Sequence, residues 1–168
     1  MPVLHPSTID EATALLADDP TAMLLAGGTD AMVEINDGHR RPGTSVIAVN
    51  RIADLRSWRH DPQAATLTIG AAVTYTELMA EPLASLVPAL ADASRTVGSP
   101  QIRNAGTLGG NLGTSSPAGD GLPVLAALDA TVTLVSATHS RSVPVTDFMV
   151  GVKRTLLPPG EMITEVTV

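Results

Sequence analysis

One run of 23 residues, Gly98 to Asp120, constrains this chain more than any other part of it. It reads Gly-Ser-Pro-Gln-Ile-Arg-Asn-Ala-Gly-Thr-Leu-Gly-Gly-Asn-Leu-Gly-Thr-Ser-Ser-Pro-Ala-Gly-Asp. Glycine lets a backbone adopt positive φ and lets another group approach it closely. Consecutive amides in such turns converge on one point and form an anion nest. Thr107, Asn111, Thr114, Ser115 and Ser116 add side-chain donors. The chemistry this suits is holding a phosphate or diphosphate without a metal. The competing reading is an ordinary glycine-rich surface loop. A second stretch weighs against it: Leu24-Leu25-Ala26-Gly27-Gly28-Thr29-Asp30, a short apolar run that feeds directly into Gly-Gly-Thr. Two such turns can close on a diphosphate from both sides. The glycine spacing is not the dinucleotide-binding fingerprint, since Pro117 prevents a long helix directly after it. No Gly-Lys-Ser/Thr of a P-loop occurs either.

Around these turns the pattern is mixed α and β. Val3-Leu4-His5-Pro6 reads as a short entry strand. A helix follows, with Thr8/Glu11 and Ser7/Asp10 as competing capping frames, and Asp18-Asp19-Pro20 ends it. Met23 to Ala26 is too short for a helix and reads as a buried strand; a second helix is expected over Asp30–Ile35 and a third strand over Val46–Val49. This alternation predicts a small parallel sheet. Asp37-Gly38 and Arg40-Arg41-Pro42-Gly43 are turns, and Arg51 to Arg59 a connector. Thr66 to Ala71 alternates as a half-buried strand. Thr74/Glu77 is a capping box opening a helix that runs through Ala80, and Pro82 breaks it. A helix over Ala89–Val97 leads into the glycine-rich run, with Pro88 in its first turn. Beyond it, a helix over Leu122–Leu128 with Pro123 at its first position precedes strands at Ala130–Val135, Ser142–Val145 and Ile163–Val168. Thr146 to Met149 starts a loop.

Composition excludes several classes. The 168 residues are 44% hydrophobic, enough for a proper core. The net charge of −7 lacks the basic footprint that nucleic acid requires. No apolar run approaches a membrane span, and no secretory leader pattern opens the chain, so a cytoplasmic location is expected. With zero cysteines, the chain can hold neither a disulfide nor a cysteine-ligated iron–sulfur cluster. The four histidines are scattered, so no metal site is expected. Aromatics are limited to Trp58, Tyr75 and Phe148. A flat cofactor ring would therefore lie mainly against aliphatic side chains and backbone.

The pairing of Ala26-Gly27-Gly28-Thr29-Asp30 with Gln101 to Asn111 resembles one family. It is the FAD-binding subunit or domain of the molybdenum hydroxylases, of the xanthine dehydrogenase and carbon monoxide dehydrogenase medium-subunit type. Ser115 to Pro123 and Lys153 to Ile163 continue the resemblance, which covers nearly the whole chain. It implies an α+β, two-lobed FAD-binding fold of the PCMH/VAO-like kind, with a small parallel N-terminal sheet and a larger, mostly antiparallel one. We expect lobes at residues 1–60 and 61–168, with the family's C-terminal domain absent. The resemblance implies that Leu24, Leu25, Ala26, Gly27, Gly28, Thr29, Asp30 and Ala31 wrap the FAD diphosphate through backbone amides. Thr107, Leu108, Gly109, Gly110 and Asn111, with Thr114, supply the second wrap. Asp120 matches a cofactor-contacting acid; a carboxylate repels a diphosphate, so its expected target is a sugar hydroxyl or the flavin side. Leu156 or Leu157 matches an apolar contact near the flavin ring, and Val97 sits where relatives place a larger side chain beside the cofactor.

Alternatives stand beside these roles. Asp30 is equally a first-turn acid favoured by the helix dipole. Arg103 is a phosphate ligand or, preferably, a cation tying the loop down. The function implied is an FAD-dependent electron-transfer oxidoreductase component. It would pass electrons from the iron–sulfur centres of a 2Fe–2S partner subunit to NAD or another acceptor, while a molybdopterin subunit oxidises the substrate. No catalytic acid or base is expected on this chain. The alternatives are a non-catalytic scaffold that keeps the fold and an unrelated phosphate-binding domain.

Overall fold

The computed structural model describes residues 1–41 and 43–168. Pro42, in one of the expected turns, lies outside the described residues. The N-terminal part is β1 (Val3–Leu4), α1 (Ile9–Asp18), β2 (Met23–Leu25), α2 (Ala31–Asn36) and β3 (Val46–Ala48). Its three strands form a parallel sheet in the order β1-β3-β2, as the strand–helix–strand alternation implies. The capping competition at α1 is won by Thr8, whose hydroxyl accepts from the Glu11 N–H at 3.1 Å. The Glu11 carboxylate reaches one residue further back, to the Ser7 N–H at 2.7 Å.

The larger sheet is antiparallel, in the order β4-β5-β10-β6-β7. Its strands are β4 (Trp58–Asp61), β5 (Thr66–Gly70), β6 (Thr131–Val135), β7 (Ser140–Pro144) and β10 (Met162–Thr167). Between β5 and β6 lie six helices: α3 (Tyr75–Leu78), α4 (Leu83–Leu86), α5 (Pro88–Thr96), α6 (Pro100–Ala105), α7 (Leu108–Thr114) and α8 (Gly121–Ala127). After β7 come α9 (Val145–Phe148) and the ribbon of β8 (Met149–Gly151) and β9 (Arg154–Thr155).

Four expectations are corrected. The connector expected at Arg51–Arg59 contains a 3₁₀ turn at Asp54–Arg56 and opens β4, so a lobe boundary at residue 60 falls inside that strand. All four β4 residues are exposed, and an edge strand without alternation leaves no period-two signal. The glycine-rich run is largely helical, in α6 and α7. Where a loop is expected from Thr146, Val145–Phe148 is a helical turn that places Phe148 fully inside the core. Pro123 is the third residue of α8 rather than its first, still within the turn whose amides have no intrahelical partner. One continuous buried cluster runs from Ala12, Leu16 and Ile47 through Ile69 and Leu108 to Val166. The two sheets therefore share a core.

Candidate cofactor site

A cleft of about 540 Å³ opens between the end of the parallel sheet and the helices that cover the antiparallel one. This is the size of a site that takes a large organic ligand. On one side, β2 ends and the chain turns through Gly27-Gly28-Thr29-Asp30 into α2. Leu24, Leu25, Ala26, Gly27, Gly28, Thr29, Asp30 and Ala31 all line the cleft. Among the described residues, the N–H groups of Gly27, Gly28, Thr29, Asp30 and Ala31 find no acceptor; the first amide of this turn to do so is Met32, which donates to the Gly28 carbonyl at 2.9 Å. Asp30 sits at the N-cap of α2 but makes no capping bond. Five consecutive donors without partners beside a cleft are an anion site in the making.

The opposite turn looks alike in sequence and is built differently. Thr107 caps α7, its hydroxyl accepting from the Gly110 N–H at 3.0 Å. The Leu108 N–H donates to the Val73 carbonyl at 3.0 Å, that of Gly109 to Ala71 at 2.8 Å, and that of Asn111 to Thr107 at 3.0 Å. The amides of Leu108, Gly109, Gly110 and Asn111 are thus already used, and that of Thr107 alone in this turn finds no acceptor among the described residues, so the turn offers the cleft side chains and bare glycine surface rather than a second row of free donors. Thr107, Gly109, Gly110, Asn111, Gly113 and Thr114 line the cleft, whereas Leu108 is fully buried in the core and does not. Asn111 Oδ1 is buried and has no hydrogen-bond partner among the described residues. Its amide is seated between Gly119 and Gly121, whose Cβ positions would lie 2.7 Å from Nδ2 and 3.2 Å from Oδ1. An orphaned buried acceptor costs free energy and calls for a donor such as a ligand hydroxyl or N–H.

The remaining candidates divide. Leu157 lines the cleft; Leu156 does not, and is 44% exposed. Asp120 is exposed and outside the lining, at the start of α8. Val97 ends α5 and packs on the core away from the cleft. Arg103 holds the α5–α6 junction, donating to the carbonyls of Val97 at 2.9 Å and Gly98 at 3.0 Å, which is the loop-tying role.

Cations contribute little to the cleft. Lys153 Nζ and Arg40 both line it, but both face Glu34, at 2.7 Å and 3.6 Å. The Lys153 hydrogen bond holds the Glu34 carboxyl below the ordinary range. Tyr75 was not singled out by sequence reasoning. It lines the cleft while only 4% exposed, and its hydroxyl has no partner among the described residues. Burial first, then the carboxylates of Asp30 and Asp120, push its phenol up, so it stays protonated and can donate. No spacing rule marks a lone tyrosine at a helix start. Among the described residues no cluster of His, Asp or Glu could hold a metal, and no helix is long and apolar enough to cross a membrane.

An α+β domain with an amide-lined cleft beside its parallel sheet and, among the described residues, no group of side chains that could hold a metal has the form of an anion-binding fold. The chain belongs to the family described as the FAD binding domain in molybdopterin dehydrogenase, which matches residues 1–168. It is 44% identical over 170 residues to the nicotinate dehydrogenase FAD-subunit of Eubacterium barkeri, covering 97% of this chain and 56% of that protein. To the carbon monoxide dehydrogenase medium chain of Hydrogenophaga pseudoflava it is 33% identical over 165 residues, with 97% and 56% covered. Its fold matches a chain of quinoline 2-oxidoreductase from Pseudomonas putida 86 with a TM-score of 0.95 at 30% identity, over all of this chain and 58% of that one. The chain thus spans a little over half the length of the relatives it matches.

FAD is the family's cofactor, and the residues fit it. A diphosphate needs several free donors, and the Gly27–Ala31 amides would supply them. A polyhydroxylated linker or a nucleobase needs polar partners, and Asn111 and Thr114 supply those. A flat ring needs apolar walls, which Leu24, Leu25, Leu157 and Ile163 provide.

Proposed function

We propose that this chain is the FAD-holding electron-transfer part of a molybdopterin-dependent hydroxylase or dehydrogenase complex of the cytoplasm. In this reading it takes electrons from the iron–sulfur centres of one partner subunit, while a molybdopterin subunit oxidises the substrate, and hands them to NAD or another acceptor. The relatives' names, nicotinate dehydrogenase and carbon monoxide dehydrogenase among them, support the reaction class and leave the substrate to the partner chain.

The observation that carries the proposal is the row of five N–H groups from Gly27 to Ala31 on the cleft wall, unpaired among the described residues. These donors would hold the diphosphate, because the two nearby cations are already committed to Glu34. Asn111, Thr114 and the Tyr75 hydroxyl would orient the rest of the cofactor, and the apolar wall would exclude water from it. Bound FAD supplies the redox chemistry; the protein's own share is grip, orientation and electrostatics. Titrating the chain with FAD, followed by flavin fluorescence and absorbance, should give saturable binding that FMN does not match, since FMN lacks the diphosphate. Recovery of partner subunits by a chain that binds no FAD would overturn this in favour of a scaffold.

A further inference from the structure

One side-chain network borders the cleft without belonging to the cofactor contacts above. Glu161 is only 7% exposed, yet it lines the cleft. Arg141, on β7, grips it twice over: Nε lies 3.1 Å from each carboxylate oxygen and Nη2 lies 2.9 Å from Oε2. The same Nη2 donates to the Leu156 carbonyl at 3.1 Å. His139 closes the other side, its Nε2 2.8 Å from Glu161 Oε1 and its Nδ1 2.8 Å from the Ser136 hydroxyl. The tautomer with Nε2–H donating to Glu161 and Nδ1 accepting from Ser136 satisfies both contacts.

Arg141 therefore holds both ends of one segment, Leu156 to Glu161. Little else does. Besides the His139 contact to Glu161, its other hydrogen bonds among the described residues are Leu156 N–H to the Phe148 carbonyl at 2.9 Å, Leu157 N–H to Thr155 Oγ1 at 3.3 Å and Glu161 N–H to the Pro158 carbonyl at 3.3 Å. Yet Leu157, Pro158 and Pro159 form an apolar wall of the cleft, separate in sequence from the amide turn at Gly27–Ala31. An apolar wall suits the flat ring, and the amides suit the diphosphate.

We propose that Arg141 is a positioning residue for the ring end of the cofactor. It clasps the Leu156 carbonyl and the Glu161 carboxylate together and thereby presets the wall between them. The inference rests on the reading that the cleft holds FAD. A wall fixed before binding spares the complex the cost of ordering it. An arginine fork suits the task, because its planar donors address two acceptors at once where a lysine is a point charge.

The test compares FAD with ADP, which carries the diphosphate and adenosine but no ring. In Arg141→Ala, the FAD Kd should rise about tenfold while the Ki of ADP, measured by displacement of FAD, stays within about twofold. Loss of Arg141 leaves Glu161 as a poorly compensated buried charge, so the double variant Arg141→Met/Glu161→Leu is measured in parallel. Replacing both members of such a pair with apolar residues generally preserves folding, and this variant should show the same split. Unchanged affinity for both ligands in the folded double variant overturns the proposal, as does an equal loss for both. A wild-type chain that binds ADP and FAD equally tightly also overturns it, since no ring contact then exists to be positioned. A wild-type chain that binds neither overturns the functional reading itself, and this one with it.

Discussion

The two glycine-rich turns that face each other across the cleft share a composition and divide the labour. At Gly27–Ala31 five amides are left without partners among the described residues. At Leu108–Asn111 the amides are consumed by Val73, Ala71 and Thr107. The first turn is organised to receive something; the second is organised to hold α7 onto the end of β5. Glycine serves close packing in both. A Cβ on Gly27 would overlap the Ala105 carbonyl oxygen, and one on Gly109 would lie 2.6 Å from the Ala71 Cβ and 2.8 Å from its carbonyl oxygen. A glycine signature in sequence therefore reports close approach, and only the hydrogen-bond accounting tells which turn has donors to spare.

The largest expected effect breaks the junction where the two turns touch. Gly27→Ala forces the first turn away from the backbone of α6, which cannot give way as a flexible side chain would. It should cost about 3 kcal/mol or more, in the range of severe core overpacking, and abolish FAD binding. Urea denaturation with and without FAD checks both. A stable, FAD-binding Gly27→Ala chain would mean that the lobes do not need this contact.

Hydrogen exchange sharpens the comparison without mutation. In the free chain, the Gly27–Ala31 amides should exchange quickly and those of Leu108–Asn111 slowly. Saturating FAD should slow the first group about a hundredfold or more, the scale set by a stabilised local opening, and leave the second nearly unchanged. Protection that appears at Leu108–Asn111 instead would reverse the assignment of roles.

Much of this was legible in the sequence. The Thr74/Glu77 capping box is present in full, the parallel sheet follows from strand–helix–strand alternation, and the Leu24–Ala31 turn lies on the cleft wall. What could not be read depends on tertiary contact. In α7, three of seven residues are glycine, each unfavourable by about 1 kcal/mol in a helix interior, so local propensity argues for a loop. The helix exists because the Thr107 cap and the Ala71 and Val73 carbonyls hold its first turn. Likewise β4 is an edge strand with no buried face, and Arg141, Leu156 and Glu161 meet only because β6 pairs with β7 on one side and β10 on the other, which sets Arg141 across one strand from the start of β10.

The two helix entrances give the next contrast. Thr107→Ala removes the α7 cap and should cost about 1–2 kcal/mol, the usual worth of a capping hydroxyl. Asp30→Ala removes a residue that makes no capping bond and should change stability by less than about 0.5 kcal/mol. Thermal or urea unfolding of the two variants side by side checks the pair. Equal losses would mean that Asp30, too, supports the fold.

The smallest effect concerns the ion pair that ties the β8–β9 turn to α2, Lys153 Nζ to Glu34 Oε1 at 2.7 Å. Both side chains keep solvent access, and such pairs are weak and screened by salt. Its direction with pH is nevertheless fixed. Lys153 holds the folded-state Glu34 carboxyl below its ordinary value of 4.5, so the folded state binds fewer protons than the unfolded one near that pH. The pair's contribution is then complete above about pH 5 and fades as the pH falls through the lowered value. Lys153→Ala should lower the urea midpoint slightly at pH 7 in low salt, and the gap from wild type should close on adding salt or on acidifying through the lowered Glu34 value. A gap that persists in both would show that Lys153 contributes through the packing of its stem beside the Gly27–Ala31 turn, making that turn a product of contacts from both ends of the chain.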